Sequence, residues 1–376
     1  MVMPLSAPDV VVVGGGVMGC ATAYYLSRAG VRVALVEQNR IGGAPSASGA
    51  SAAIVEALAG SARPLAEQTQ LARRLLGELA PLLLERTGID IEWQTLGTIR
   101  LAFSEREVTS LRTQVADLYR ELEEPVQWLD PEALRELEPA LPERALGALR
   151  IPSTNGLYAP KYVRALAAAA AQNGASVLQG VSVTGFALEG DRVTLVRTSE
   201  GPLACDRVVL TAGAWSGVVS RWLGRPASSV SVGPERGQIM ALQPAPGQPH
   251  VRNVVHGPGG YLIPKANGTV VAGATHEDVG FDARVTTYGL KYLADLALRL
   301  APGLEQAALK HAWMGFRPAL QRDRLPYVGK LPEVANAYVA AGHGAIGITV
   351  SAAVGLLLSQ LIRGETPQLS LAPFNP

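Results

Sequence analysis

The stretch from Val10 to Glu37, VVVVGGGVMGCATAYYLSRAGVRVALVE, decides the fold. Val10 to Val13 is an unbroken β-branched run, the mark of a strand buried in a parallel sheet. Gly14, Gly16 and Gly19 follow as G-x-G-x-x-G. Val17 to Arg28 has helical composition, and Gly30 supplies a stop. Val31 to Glu37 reads as a second strand ending in an acid. The whole is one βαβ unit, with the acid about 20 residues beyond the glycines. The first glycine permits a tight turn. The second lets the backbone approach a pyrophosphate, and the third lets helix and strand pack closely. Amides of the first helical turn, around Val17 and Met18, favour phosphate charge. Glu37, with Gln38 beside it, is placed to accept hydrogen bonds from ribose hydroxyls. An acid there disfavours a 2′-phosphate, so NADP is not expected.

This fingerprint alone does not separate FAD from NAD. Three distant segments favour FAD. A loop rich in small residues (Gly42, Gly43, Ser46, Ser48, Gly49, Ala50, Ser51) follows the acidic strand. Thr211, Ala212, Gly213, Ala214 and Trp215 end a short apolar strand that returns to the cleft, with Val181 alongside. A turn at Gly342, His343, Gly344, Ala345, Ile346 and Gly347 opens a C-terminal apolar helix at Ile348. A nicotinamide enzyme usually keeps its nucleotide site within one contiguous stretch. The residues assigned to an FAD site are therefore Gly14, Gly16, Val17, Met18, Gly19, Glu37, Gln38, Ser46, Ser48, Gly49, Ala50, Ser51, Val181, Ala212, Gly213, Trp215, Gly342, His343, Gly344, Ala345, Ile346, Gly347 and Ile348.

The rest of the chain alternates between two textures. Arg63 to Arg86 is helical, Glu92 to Phe103 strand-like, and Arg106 to Glu123 and Pro131 to Glu138 helical. Pro160 to Asn173 is a helix, Ser176 to Val183 and Val193 to Arg197 are strands, and Arg207 to Leu210 is a short buried strand. Between Val230 and Gly273 several short strands are separated by Gly/Pro turns such as Gly257 to Gly260, the pattern of an antiparallel sheet. Thr287 to Leu300 is a helix and Ala337 to Ala340 a strand. The expected architecture is α/β: a Rossmann-like FAD-binding domain with an inserted α+β substrate domain built on an antiparallel sheet. The first is assigned to residues 1–88, 148–221 and 323–376, the second to 89–147 and 222–322.

Composition removes several function classes. The chain has 376 residues, with Lys+Arg 33 against Asp+Glu 32, so it lacks the basic excess of a nucleic-acid binder. Two cysteines, Cys20 and Cys205, cannot form a disulfide framework, and no Cys/His spacing suggests zinc. His256 and His276 fall on different predicted strands without a third ligand, so no metal is expected. Met1 to Asp9 has no basic n-region, which argues against a signal peptide. Gly344 to Ile362 has no charged residue. Its scattered Ser, Thr and Gly make it a core helix and not a membrane span. A cytoplasmic location is expected.

At these motifs the chain resembles the FAD-dependent D-amino-acid oxidase superfamily, and within it the glycine oxidases of the thiamine pathway. VVVGGGVMGCATAYYLSRAGVRVALVEQ is common to the superfamily, and GGAPSASGASAA is narrower. The most specific stretches are HGPGGYLIPKANGTVVAGATHEDVGFD, WMGFRPALQRDRLPYVG and AAGHGAIGITVSAAVGLLLSQLI. The same order is found in related D-amino-acid dehydrogenases and in hydrogen cyanide synthase flavin subunits. The resemblance implies that Tyr261, in GGYLIP, contacts the substrate carboxylate. It implies that Arg317, in WMGFRP, pairs with that carboxylate through two parallel N–H donors. Two departures stand out. Ala345 occupies the place of a second active-site arginine, and His276 stands at a pocket position that varies in the family. The family's covalent flavin link uses a cysteine near the C-terminal substrate strand. None lies near Trp313 to Pro318, so FAD should be non-covalent.

The implied chemistry is oxidative deamination of a small amino acid or secondary amine, such as glycine, sarcosine or a small D-amino acid. Hydride passes from the substrate Cα to flavin N5, water hydrolyses the imine, and O2 reoxidises the flavin to give H2O2. No strong base is needed, and His343 is read as a packing or hydrogen-bonding residue. Amides of the Gly342 to Gly347 turn would face negative charge on the flavin ring. Two alternatives remain: a D-amino-acid dehydrogenase using another acceptor, and the flavin subunit of a multi-protein amine dehydrogenase. The resemblance also favours a homo-oligomer.

Overall fold

The βαβ unit stands in the computed structural model as Val10–Val13, Val17–Arg28 and Val33–Glu37. The structure describes residues 8–58, 61–122, 125–226, 229–248, 250–321 and 325–376. Met1 to Ala7, the helix end expected at Glu123 and the domain boundary expected at 323 lie outside the described residues.

Val10–Val13 is the centre of a six-stranded sheet. It pairs in parallel with Val33–Glu37 on one side and Arg207–Leu210 on the other. Ser176–Gln179 extends the first side. Ala337–Ala341 extends the second, and Tyr327–Lys330 closes that edge antiparallel. All four valines of the central strand are buried, as a strand covered on both faces requires. One face carries the helices Val17–Arg28, Arg63–Thr87, Ala159–Gln172 and Gly347–Ile362, whose apolar residues form a single core. The uncharged C-terminal helix is long and apolar enough to cross a membrane. Here it packs into this core, with 67% of its most apolar window buried.

The opposite face is covered by a three-stranded antiparallel sheet, Val183–Glu189, Arg192–Thr198 and Gly201–Ala204. The strand expected over Ser176 to Val183 is therefore two strands. Gly180, at φ +76°, turns the chain between the sheets.

The second layer is an eight-stranded mixed sheet. Its order is Ala308–Leu320, Val232–Gln243, Val270–Gly273, Gly260–Pro264, Val254–Gly257, Thr98–Ala102, Gly147–Ile151 and Gln127–Leu129. The boundary expected at 148 falls inside one of its strands. One pair, Val254–Gly257 with Thr98–Ala102, is parallel, and the others are antiparallel. Two members are long. Val232–Gln243 is one 12-residue strand where short pieces were expected, and Ala308–Leu320 runs 13 residues beside it. The helix Thr287–Leu300 packs on this sheet through Leu293, Leu296, Ala297 and Leu300.

Candidate active site

The glycine turn is built for close approach. Gly14 has φ +106°, and a Cβ there would lie 2.5 Å from the Thr211 carbonyl oxygen. The Thr211 hydroxyl bridges the Val13 and Gly14 carbonyls, at 2.9 Å to each, and fastens the returning strand to the turn. Gly19 packs on the Gly14 carbonyl with no room for a side chain. At the end of the second strand, Glu37 accepts the Gly15 amide at 2.7 Å and the Asn39 amide at 2.9 Å. Both carboxylate oxygens are thereby fixed at the cleft wall, each with a lone pair to spare for a hydroxyl. The loop after Gly42 is held by its own serines. Ser46 donates to the Gly43 carbonyl at 2.7 Å and accepts the Gly49 amide at 3.0 Å, and Ser48 accepts the Val17 amide at 2.9 Å.

These segments enclose one continuous cleft. Of the sequence-assigned cofactor residues, Gly14, Gly16, Val17, Met18, Glu37, Gln38, Ser46, Ser48, Ser51, Val181, Ala212, Gly213, Trp215, Gly342, His343, Gly344, Ala345, Gly347 and Ile348 line it. Gly19, Gly49, Ala50 and Ile346 do not. The first two are packing glycines, Ala50 touches the second sheet, and Ile346 packs on the helical core. Asn39, Val183, Val218, Trp222 and Pro318 also line the cleft and were not singled out from sequence. They enter through strand ends and a helix face, which no local motif marks.

The lining fits a dinucleotide. The acid, the glycine turn, the serine loop and the C-terminal turn all line the one cleft. His343 is buried, and its Nε2 has no partner among the described residues. Burial pushes its imidazole down to about 3, so it is neutral at ordinary pH.

Tyr261 and Arg317 lie beyond the cleft, on the second sheet. Register puts both on one face of it, three strands apart, and their side chains lean toward the strands between them. Tyr261 pairs with Gly273, Gly273 with Ile239, and Ile239 with Trp313. Arg317 is four residues along from Trp313 on the same face. Its guanidinium folds back over Gly237, where a Cβ would lie 2.5 Å from Nη2. Nη2 donates to the Thr275 carbonyl at 3.2 Å. The Tyr261 hydroxyl lies over Gly273, two residues before Thr275. Burial pushes the phenol up to about 12, while the nearby Arg317 charge works to lower it, so Tyr261 is a neutral donor beside a cation.

The loop at Ser46 to Ala50 abuts this same strand. Phe316 donates its amide to Pro45 at 3.0 Å, and Trp313 donates its indole N–H to Ala50 at 3.1 Å. The carboxylate-binding candidates are thus fastened to the cofactor cleft, and Pro318 belongs to both.

Several polar groups around this pair escaped sequence reasoning. Glu235 is ion-paired with Arg317 and lies 2.8 Å from His276 Nδ1. Glu56 faces His256 Nε2 at 3.6 Å and accepts from Thr98 at 3.3 Å. The His256 ring centroid is 6.0 Å from that of Tyr261. Burial, with the Arg100 charge, holds His256 below its ordinary pKa despite Glu56. Each of these pairings joins residues far apart in the chain, and no spacing reveals them. Among the described residues, no group of three or more His, Cys, Asp or Glu could hold a metal ion.

Comparison with known proteins gives the family and the fold. Residues 9–361 match the family model of DAO, FAD dependent oxidoreductases. The chain is 36% identical to glycine oxidase of Geobacillus kaustophilus over 371 residues, covering 98% of this chain and 96% of that one. It is 32% identical to hydrogen cyanide synthase subunit HcnC of Pseudomonas aeruginosa, covering 97% and 95%. The crystal structure of glycine oxidase from Geobacillus kaustophilus superposes with a TM-score of 0.91 at 35% identity, covering 98% of each chain.

Proposed function

The chain belongs to the DAO family of FAD-dependent oxidoreductases, and from that premise we propose that it deaminates a small amino acid or secondary amine oxidatively, with O2 as acceptor. Glycine, sarcosine and small D-amino acids are the substrates this reading favours. The observation that carries it is the placement of the Tyr261 phenol and the Arg317 guanidinium on one face of the second sheet, each reaching over a glycine of the strands between them.

In this reading, Arg317 and Tyr261 hold the substrate carboxylate and so fix the Cα. Glu37, the glycine turn and the Gly342 to Gly347 turn would hold FAD, which when bound would supply the two-electron acceptor. The amine must be neutral for its oxidation, and the protein's main contribution is orientation. Neutral, buried His343 closes the cleft wall and carries no proton-transfer role. The same reading carries the expectation of a homo-oligomer.

Steady-state product analysis tests this function. If glycine is the substrate, glyoxylate, ammonia and peroxide form in equal amounts. Product formation with little peroxide would favour a dehydrogenase. That second reading is supported by one observation: Ala345, standing in the place of the second active-site arginine of the family resembled, is exposed at the cleft and leaves that wall uncharged. An inactive single chain that gains activity with a partner would favour the subunit reading, which the likeness to a synthase subunit supports.

A further inference from the structure

The Arg317 site contains its own counter-charge. Glu235 stands directly opposite Arg317 in the ladder between Val232–Gln243 and Ala308–Leu320, so the pairing is fixed by register. The two side chains are ion-paired. His276 Nδ1 lies 2.8 Å from the same Glu235 oxygen and 3.3 Å from Arg317 Nη1. Exposure rises outward, from 17% for Arg317 to 31% for Glu235 and 67% for His276. The cation therefore lies inside and the carboxylate on the solvent side. Arg236, next to Glu235 in sequence, is engaged elsewhere, by Glu277 at 2.6 Å and Asp282 at 3.1 Å.

We propose that Glu235 is a specificity-determining residue that makes this site select amino acids with one carboxylate over those with two. The proposal rests on the reading of Arg317 and Tyr261 as the carboxylate clamp. A guanidinium has five N–H donors, and Glu235, the Thr275 carbonyl and His276 Nδ1 engage at most three of them. A first carboxylate can still be bound through the rest and through Tyr261. A substituent reaching back toward solvent passes Glu235. A neutral or cationic group is accepted there, whereas a second carboxylate meets a fixed like charge. Glu235 also cancels the net charge that would otherwise attract any dianion to Arg317.

Two non-reacting anions read this directly. Acetate and malonate are titrated into the FAD-loaded enzyme at about pH 8, where malonate is doubly charged, and binding is followed by the shift in flavin absorbance. In Glu235→Gln the ratio of malonate to acetate dissociation constants should fall at least about tenfold, the scale of one like charge removed from a partly enclosed site. In Glu235→Asp, which keeps the charge, it should stay within about twofold of the parent. If both anions weaken equally in Glu235→Gln, the ratio does not move. Glu235 then only positions Arg317, and the proposal is overturned. Retained FAD in both variants shows that each has folded. Arg317→Ala separates this from the underlying reading. Acetate binding that survives Arg317→Ala removes the clamp itself, whatever Glu235→Gln does.

Discussion

The indole of Trp313 donates to the carbonyl of Ala50 at 3.1 Å, and this bond joins the eight-stranded sheet to the loop that walls the cleft. Two residues on, Gly315 leaves room for that loop. A Cβ on Gly315 would come 2.5 Å from the Ala50 side chain. Gly315→Ala should therefore push the loop away from the strand. Overpacking of this kind costs about 1–3 kcal/mol. The account expects a lower melting temperature for the holoenzyme and faster loss of FAD on dialysis. A variant as stable and as yellow as the parent would show that the contact is not constraining.

Arg317→Ala should raise the apparent KM for every amino-acid substrate by about two orders of magnitude or more, as expected for loss of a charge-assisted carboxylate contact. FAD content should not change, because the side chain does not line the cleft. Arg317→Lys should recover only part of the loss, since a lysine cannot present two parallel donors. Unchanged steady-state kinetics would take Arg317 out of the site.

Glu37→Ala should weaken FAD retention without altering substrate preference in the fraction that stays loaded. The substitution removes the acceptor of the Gly15 and Asn39 amides as well as the proposed ribose contact. Equilibrium dialysis against FAD measures the first effect, and a substrate panel on the loaded fraction the second. Equal retention would count against the ribose role.

His343 predicts a pH dependence of stability. Burial lowers its folded-state pKa from its ordinary value of 6.5 to about 3. The unfolded chain binds this proton more readily, so stability is lost as pH falls through the interval between those values and is fully present above the upper one. The contribution is on the order of a few kcal/mol. Denaturant unfolding of the holoenzyme near pH 7.5 and near pH 5 should show a smaller loss in His343→Asn than in the parent. The rate should show no limb belonging to this imidazole. An acid limb in kcat that vanishes in His343→Asn would contradict the packing role.

What was legible in the sequence was what local chemistry dictates. The Val10 strand, the glycine turn and the helix Val17–Arg28 lie where the β-branched run and the glycines place them. The helix Thr287–Leu300 does too, capped by the Thr286 hydroxyl on the Gly289 amide. The long strand pair was not legible. Gly233, Pro234 and Gly237 read as breaks in what is one strand. Gly237 is small because the Arg317 guanidinium occupies the space above it, a reason that lies 80 residues away in another strand. Pro318 sits within Ala308–Leu320 because that is an edge strand, where a missing N–H is tolerated. Glu235 and Glu56 acquire meaning only through register and through contacts between distant segments.

Anaerobic addition of glycine, sarcosine, D-alanine, D-proline and L-proline to the purified holoenzyme, followed by absorbance, tests the central claim most directly. The account predicts that the flavin bands bleach with glycine or another small member of the panel and return when air is admitted. A flavin that none of these amines bleaches would contradict it.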